Sequence, residues 1–188
     1  MAQPMLDLHQ QFQIKALTLK PFSKLNNTES ELVWKMRNHP DIAKWMGSGG
    51  EIPLEAHQAF MAHQSTEKSH FNYLTYDQSG VSGVISLHRC DWRNCIAWLG
   101  IYRNPFRQGT GLGSQLLNAI CWLAFDIANL HTLKLEVVAD NTPAIKAYLR
   151  AGFVNEGCWR EAARRDDNYI DLLLMGITEQ EWRKNERQ

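Results

Sequence analysis

The sequence predicts an α+β fold, a central mixed but mostly antiparallel sheet of about seven strands flanked by helices. Helical spacing dominates the first third, and three strand-like runs separated by short polar turns follow. A strand–glycine loop–helix–strand–helix order then leads to a closing strand pair. Residues 1–11 are polar and aperiodic and read as a flexible N-terminus, leaving 12–188 as one domain. Residues 12–19 alternate as one half-buried strand carrying Phe12, Ile14, Ala16 and Leu19. Leu32, Val33 and Met36 recur at helical spacing over 29–37, and this helix stops before His39-Pro40 because the residue before proline avoids helical dihedrals. A short helix is expected over 41–45. Another, over 54–64, follows the flexible Ser48-Gly49-Gly50 turn and carries Leu54, His57, Phe60 and Met61 on one side.

Strands over 71–76, 81–87 and 95–102 form an antiparallel meander through the turns Asp77–Gly80 and Asp91–Asn94. Leu112, Leu116, Leu117, Ile120, Leu123, Ala124 and Ile127 stripe one face of a helix ending near Asn129, which must pack on the sheet. A strand over 133–138 precedes a helix that Thr142-Pro143 opens and Gly152 closes. Strands over 154–159 and 170–175 pair as a hairpin, and a small helix runs from Thr178 through Trp182.

Twenty basic and twenty acidic residues balance among the 188, so no global field recruits nucleic acid or an anionic membrane. No apolar run approaches the ~18 residues that span a bilayer, and 1–11 lacks the apolar core of a signal peptide. Cys90, Cys95, Cys121 and Cys158 form no Cys-x-x-Cys pair and read as reduced thiols of a cytoplasmic protein. The seven histidines form no close ligand cluster, and no metal is expected.

The most informative stretch is GIYRNPFRQGTGLGSQL over 100–116, a strand, an Asn-Pro break, glycines at 109, 111 and 113, then a helix. Backbone N–H groups opening a helix lack intrahelical partners, and glycines let an anion approach them. A phosphate loop of NTPases would need lysine before Ser114, and a dinucleotide fingerprint would need glycine where Ser114 stands. Gln108-Gly-Thr-Gly111-Leu-Gly113 instead resembles Gln/Arg-x-x-Gly-x-Gly/Ala, the pyrophosphate-binding motif of the GNAT superfamily of N-acetyltransferases. The strand before it, the helix after it, and Asn141 and Tyr148 downstream extend the resemblance over most of the chain.

A narrower resemblance lies in Arg37-Asn-His-Pro-Asp41, Trp45-Met46, Leu99 to Pro105, Leu130-His131, Leu135 to Val137 and Tyr169-Ile-Asp171. These blocks are similar to the acetyltransferases of pseudaminic acid biosynthesis, which acetylate the 4-amino group of UDP-4-amino-4,6-dideoxy-N-acetyl-β-L-altrosamine. Their product leads to the nonulosonic sugar displayed on flagellin. The implied donor is acetyl-CoA and the implied partner a small UDP-amino sugar, with a homodimer left open.

Acetyl transfer to an amine needs a neutral amine, a stabilised oxyanion and a proton for the leaving thiolate. The resemblance makes Tyr148 the general acid. Many relatives carry a glutamate base on the strand before the glycine loop, but residues 97–102 contain no acid. The resemblance to the pseudaminic acid enzymes implies that Ser86 sits near the amine as a water-positioning residue, with Glu136 and His57 within reach. Arg37 offers a donor fork to phosphate, and Trp45, Met46, Phe60 and Trp98 offer apolar or stacking surface. Backbone groups of Ile101, Tyr102 and Arg103 are expected to pair with the pantetheine arm. Gln108, Gly109, Thr110, Gly111, Leu112, Gly113 and Ser114 would hold the pyrophosphate, Asn141 the arm and Lys146 the 3′-phosphate. Two alternatives share the fold, a protein N-terminal acetyltransferase of the ribosomal-protein type and a non-catalytic acyl-CoA sensor.

Overall fold

The computed structural model describes residues 7–46, 50–107, 111–165 and 167–185. Among them run β1 (Phe12–Ile14), β2 (Leu17–Pro21), α1 (Asn27–Asn38), α2 (Pro40–Ala43), α3 (Leu54–Ala62), β3 (Phe71–Asp77) and β4 (Gly80–Asp91). Then come β5 (Ile96–Arg103), α4 (Leu112–Trp122), β6 (Thr132–Val138), α5 (Thr142–Arg150), β7 (Val154–Arg165), β8 (Asn168–Thr178) and α6 (Glu179–Asn185). The strands build one sheet in the order β1-β2-β3-β4-β5-β6-β8-β7. Every neighbouring pair is antiparallel except β5 and β6, so the mixed, mostly antiparallel α+β architecture is the one predicted.

The sheet has eight strands because residues 12–19 are not one strand. Lys15 takes a positive φ of 53° and folds the segment into the β1–β2 hairpin, pairing Phe12 with Leu19. The parity of the pattern carries the reason, since Phe12 and Ile14 are even while Leu17 and Leu19 are odd. A continuous strand would turn one of these pairs to solvent. Residues 7–11 are likewise not a flexible terminus: Leu8 is buried, its carbonyl accepts the Tyr73 hydroxyl, and His9 Nε2 lies 2.7 Å from the Glu67 carbonyl. The β7–β8 hairpin is longer than expected at both ends.

Helices cover both faces of the sheet. On one, Leu116, Leu117, Ile120 and Leu123 of α4 and its continuation are buried against Ile85, Leu87, Leu99 and Leu133, with α5 and α6 alongside. Burial of each such leucine is worth about 2 kcal/mol. After Trp122 the helix widens into a π turn over Leu123–Ile127, where Ala128 N–H donates to the Leu123 carbonyl at 2.8 Å. On the other face Val33 and Met36 of α1 pack on Leu74, Val84 and Phe22. Reciprocal bonds between Asn26 and Glu29 fix the start of α1 in a capping box. In α3, His57 turns inward while Leu54 and Phe60 stay largely exposed, so the expected single apolar side is divided.

Candidate active site

The parallel pairing of β5 with β6 covers only Ile96, Ala97 and Trp98 against Thr132, Leu133 and Lys134. Both strands continue beyond that point, and β5 stays paired on its other side with β4 as far as Arg103. The two strands therefore part, and the Leu99–Arg103 segment keeps one backbone edge with no strand partner among the described residues. Alternate N–H and C=O groups along that edge face the gap and need hydrogen bonds.

A cavity of about 670 Å³ runs through this gap. One face of the sheet lines it with Ser86, His88, Gly100 and Tyr102, and the opposite face with Leu99 and Ile101, joined there by Ala144 and Tyr148 of α5. It is a slot through the sheet. The helical side adds Arg37, Trp45, Met46, His57 and Phe60, and the far strand adds Glu136, with Asn141 following it. Segments far apart in sequence thus meet in one space.

At the end of β5 the chain returns to start α4. Gly111 is its N-cap with φ of 86°, no side chain caps it, and its first turn holds no acid. A Cβ on Gly111 would meet nothing within 4 Å, and one on Gly113 only Arg103 Cδ at 3.8 Å. Uncapped N–H groups opening onto uncrowded space suit an anionic pyrophosphate, and the bare β5 edge suits an extended amide chain. These residues fit coenzyme A.

Tyr148 projects from α5 into the slot with its ring 5.8 Å from Phe153. Burial pushes its phenol up to about 12, so it holds its proton at neutral pH. Asn141 caps α5 by accepting from Ala144 N–H at 3.3 Å, and it lines the slot as well. Burial lowers the Arg37 guanidinium from its usual range, partly offset by Tyr102, yet a guanidinium stays charged. Trp45 stands between Lys44 and Arg165, whose cationic groups lie 5.7 and 5.3 Å from its ring centroid.

Several expected placements are corrected. Trp98 does not line the cavity; its ring lies under Arg89 at 5.1 Å and beside Trp159 at 6.3 Å. His57 lines the slot but is buried, with Nε2 2.9 Å from the Ser30 carbonyl, so that nitrogen carries its proton and is already engaged. Glu136 reaches the slot with one carboxylate oxygen accepting from Arg89 Nη1 at 2.6 Å, which makes it half of an ion pair rather than an unengaged carboxylate. The side chains of Arg103 and Lys146 are exposed and outside the cavity, which is compatible with the backbone edge expected of Arg103 and the 3′-phosphate contact expected of Lys146. The Leu112 side chain belongs to the core, and Ser114 faces a separate groove shared with Asn118, Ala147 and Arg150. Gln108, Gly109 and Thr110 lie outside the described residues.

His88 and Arg89, a slot residue and the partner of another, are among those that escape the sequence reading. His88 lines the slot on β4, and Arg89 takes a positive φ of 50° at an irregularity between β4 and β5 that aims it across Trp98 at Glu136. His88 was legible in principle, because strand alternation puts it on the face of Ser86.

The family model of the acetyltransferase (GNAT) family matches residues 29–153. The acetyltransferase PseH of Campylobacter jejuni is 35% identical over 139 residues, covering 73% of this chain and 84% of that protein. The crystal structure of spermidine N-acetyltransferase from Vibrio cholerae in complex with CoA and spermine matches with a TM-score of 0.82 at 22% identity, covering 90% of this chain and 99% of that one. Campylobacter jejuni N-acetyltransferase PseH in complex with acetyl coenzyme A matches at 0.66 and 24% identity, covering 87% and 99%. At these identities the two crystal structures speak for the fold. Slot, uncapped helix start and family match agree: the chain belongs to the GNAT family of acetyl-CoA-dependent N-acetyltransferases.

Proposed function

We propose that the protein acetylates the 4-amino group of a UDP-linked 4-amino-4,6-dideoxy sugar, the reaction of pseudaminic acid biosynthesis. The observation that carries this reading is the single cavity joining the bare β5 edge to a wall of Arg37, Trp45, Met46 and Phe60. Charge and flat apolar surface on that wall suit a nucleotide sugar better than an open groove would. Similarity to PseH, together with the blocks from Arg37 to Asp171, supports the same substrate class.

In this reading Ile101, Tyr102 and Arg103 present backbone groups to the pantetheine arm. The loop from Gln108 and the first N–H groups of α4, through Ser114, hold the pyrophosphate. Asn141 orients the arm, while Lys146 reaches the 3′-phosphate from outside the cavity. When bound, acetyl-CoA supplies the activated acetyl group. Tyr148 holds a proton at its Oη for the leaving sulfur, and Ser86 orients water beside the amine.

Thiol release from acetyl-CoA, measured over a panel of UDP-amino sugars, polyamines and N-terminal peptides, tests the proposal. The UDP-4-amino-4,6-dideoxy sugar should give the highest kcat/KM. Faster turnover of a peptide or polyamine would replace the acceptor, and saturable binding with no turnover of any amine would make the protein a sensor.

A further inference from the structure

A Cβ on Gly100 would collide with Ser86 Oγ, and the same point lies 3.7 Å from both Nδ1 and Cε1 of His88. Gly100 therefore makes room for the Ser86 hydroxyl, which lies with the His88 imidazole edge along the wall of the slot, beside the point where β5 parts from β6. No acidic side chain lies on the facing stretch of β5 to take a proton there.

We infer that His88 is the catalytic base, taking the proton of the attacking amine at Nδ1. The alternatives in the slot are occupied or weak. Glu136 is bound by Arg89, His57 Nε2 is bonded to Ser30, and a serine hydroxyl is a poor base. No hydrogen bond within the described residues holds either ring nitrogen of His88. Around it stand His70, stacked at 6.3 Å, Arg89 on its own strand and Glu136 on β6, while β5 presents uncharged Gly100 and Trp98. Burial first, then the positive Arg89 and His70, bring the imidazole down to about 4, against the pull of Glu136. The ring is thus neutral, with a lone pair available, across the physiological range. A weak base suffices, because attack on a thioester carbonyl converts the amine into an acidic ammonium.

The protons balance within the site. As the nitrogen–carbon bond forms and the carbon–sulfur bond breaks, the ammonium proton passes to His88 and the thiolate takes the Tyr148 proton. Water then carries the proton from the imidazolium to the phenolate, leaving an amide, a thiol and the starting enzyme.

The assignment rests on amine acetylation in this cavity and not on which amine is used. Its test employs whichever acceptor of the panel the wild type turns over, so a wrong sugar leaves it intact. His88→Gln keeps size and polarity and should lower kcat about 100-fold. Its acetyl-CoA affinity by calorimetry should be unchanged, and its rate should climb with pH to 9 where wild type is flat. His88→Ala should lose as much and regain at least about tenfold on addition of free imidazole, a rescue that a structural role would not give. Turnover of either variant within about threefold of wild type, with the wild-type pH profile, overturns the assignment.

Discussion

The two ends of the slot are made of different material. The donor end is backbone: the unpaired edge of β5, the glycine start of α4, and the Asn141 cap of α5. The acceptor end is side chain: Arg37 from α1, Trp45 and Met46 after α2, His57 and Phe60 from α3, Ser86 and His88 from β4. A backbone site admits one ligand shape and tolerates changes of side chain, whereas a side-chain site is set residue by residue. One end can therefore stay constant while the other is respecified.

The sharpest way to break this contrast is Tyr148, the side chain that projects into the slot from the donor end. Tyr148→Phe should lower kcat about 100-fold or more while KM for acetyl-CoA stays within about twofold. Wild-type turnover would leave the donor end with no catalytic side chain. Next in size, Arg37→Ala should raise KM for the nucleotide sugar about 10- to 100-fold and leave KM for acetyl-CoA alone, as expected for loss of a charged hydrogen bond. Equal effects on both substrates in steady-state kinetics would mean that Arg37 shapes the whole slot. The smallest effect sharpens the donor side. Gly113→Asp puts a carboxylate where the pyrophosphate is expected, in space the structure leaves open. It should weaken acetyl-CoA binding about fivefold by calorimetry while Tm holds or rises, because an acid suits a helix start. Unchanged binding would move the pyrophosphate off α4.

The same contrast explains what the sequence made legible. The donor end is written locally, as a spaced glycine motif beside a strand and a helix, and local chemistry reads directly from a chain. The acceptor end depends on which faces meet after folding. Arg37, Trp45, Met46, His57 and Phe60 do line one cavity, but Trp98 turns away under Arg89, an outcome of the β4–β5 irregularity that no periodicity announces. The engagement of His57 by Ser30 and of Glu136 by Arg89 spans 27 and 47 residues of chain, beyond the reach of any motif. Two misreadings were avoidable. The β1–β2 hairpin is visible as a parity slip between Ile14 and Leu17, and His88 as the next inward position after Ser86.

The parting of β5 from β6 leaves a strand edge in the middle of a sheet, flanked by strands on both sides. A slender extended molecule can complete that edge as if it were a further strand. Occupancy and folding then draw on one free energy: a ligand at 100 times its dissociation constant adds about 2.7 kcal/mol to the folded state. The protein's resistance to unfolding, and with it its persistence, becomes a function of how much acetyl donor its surroundings hold.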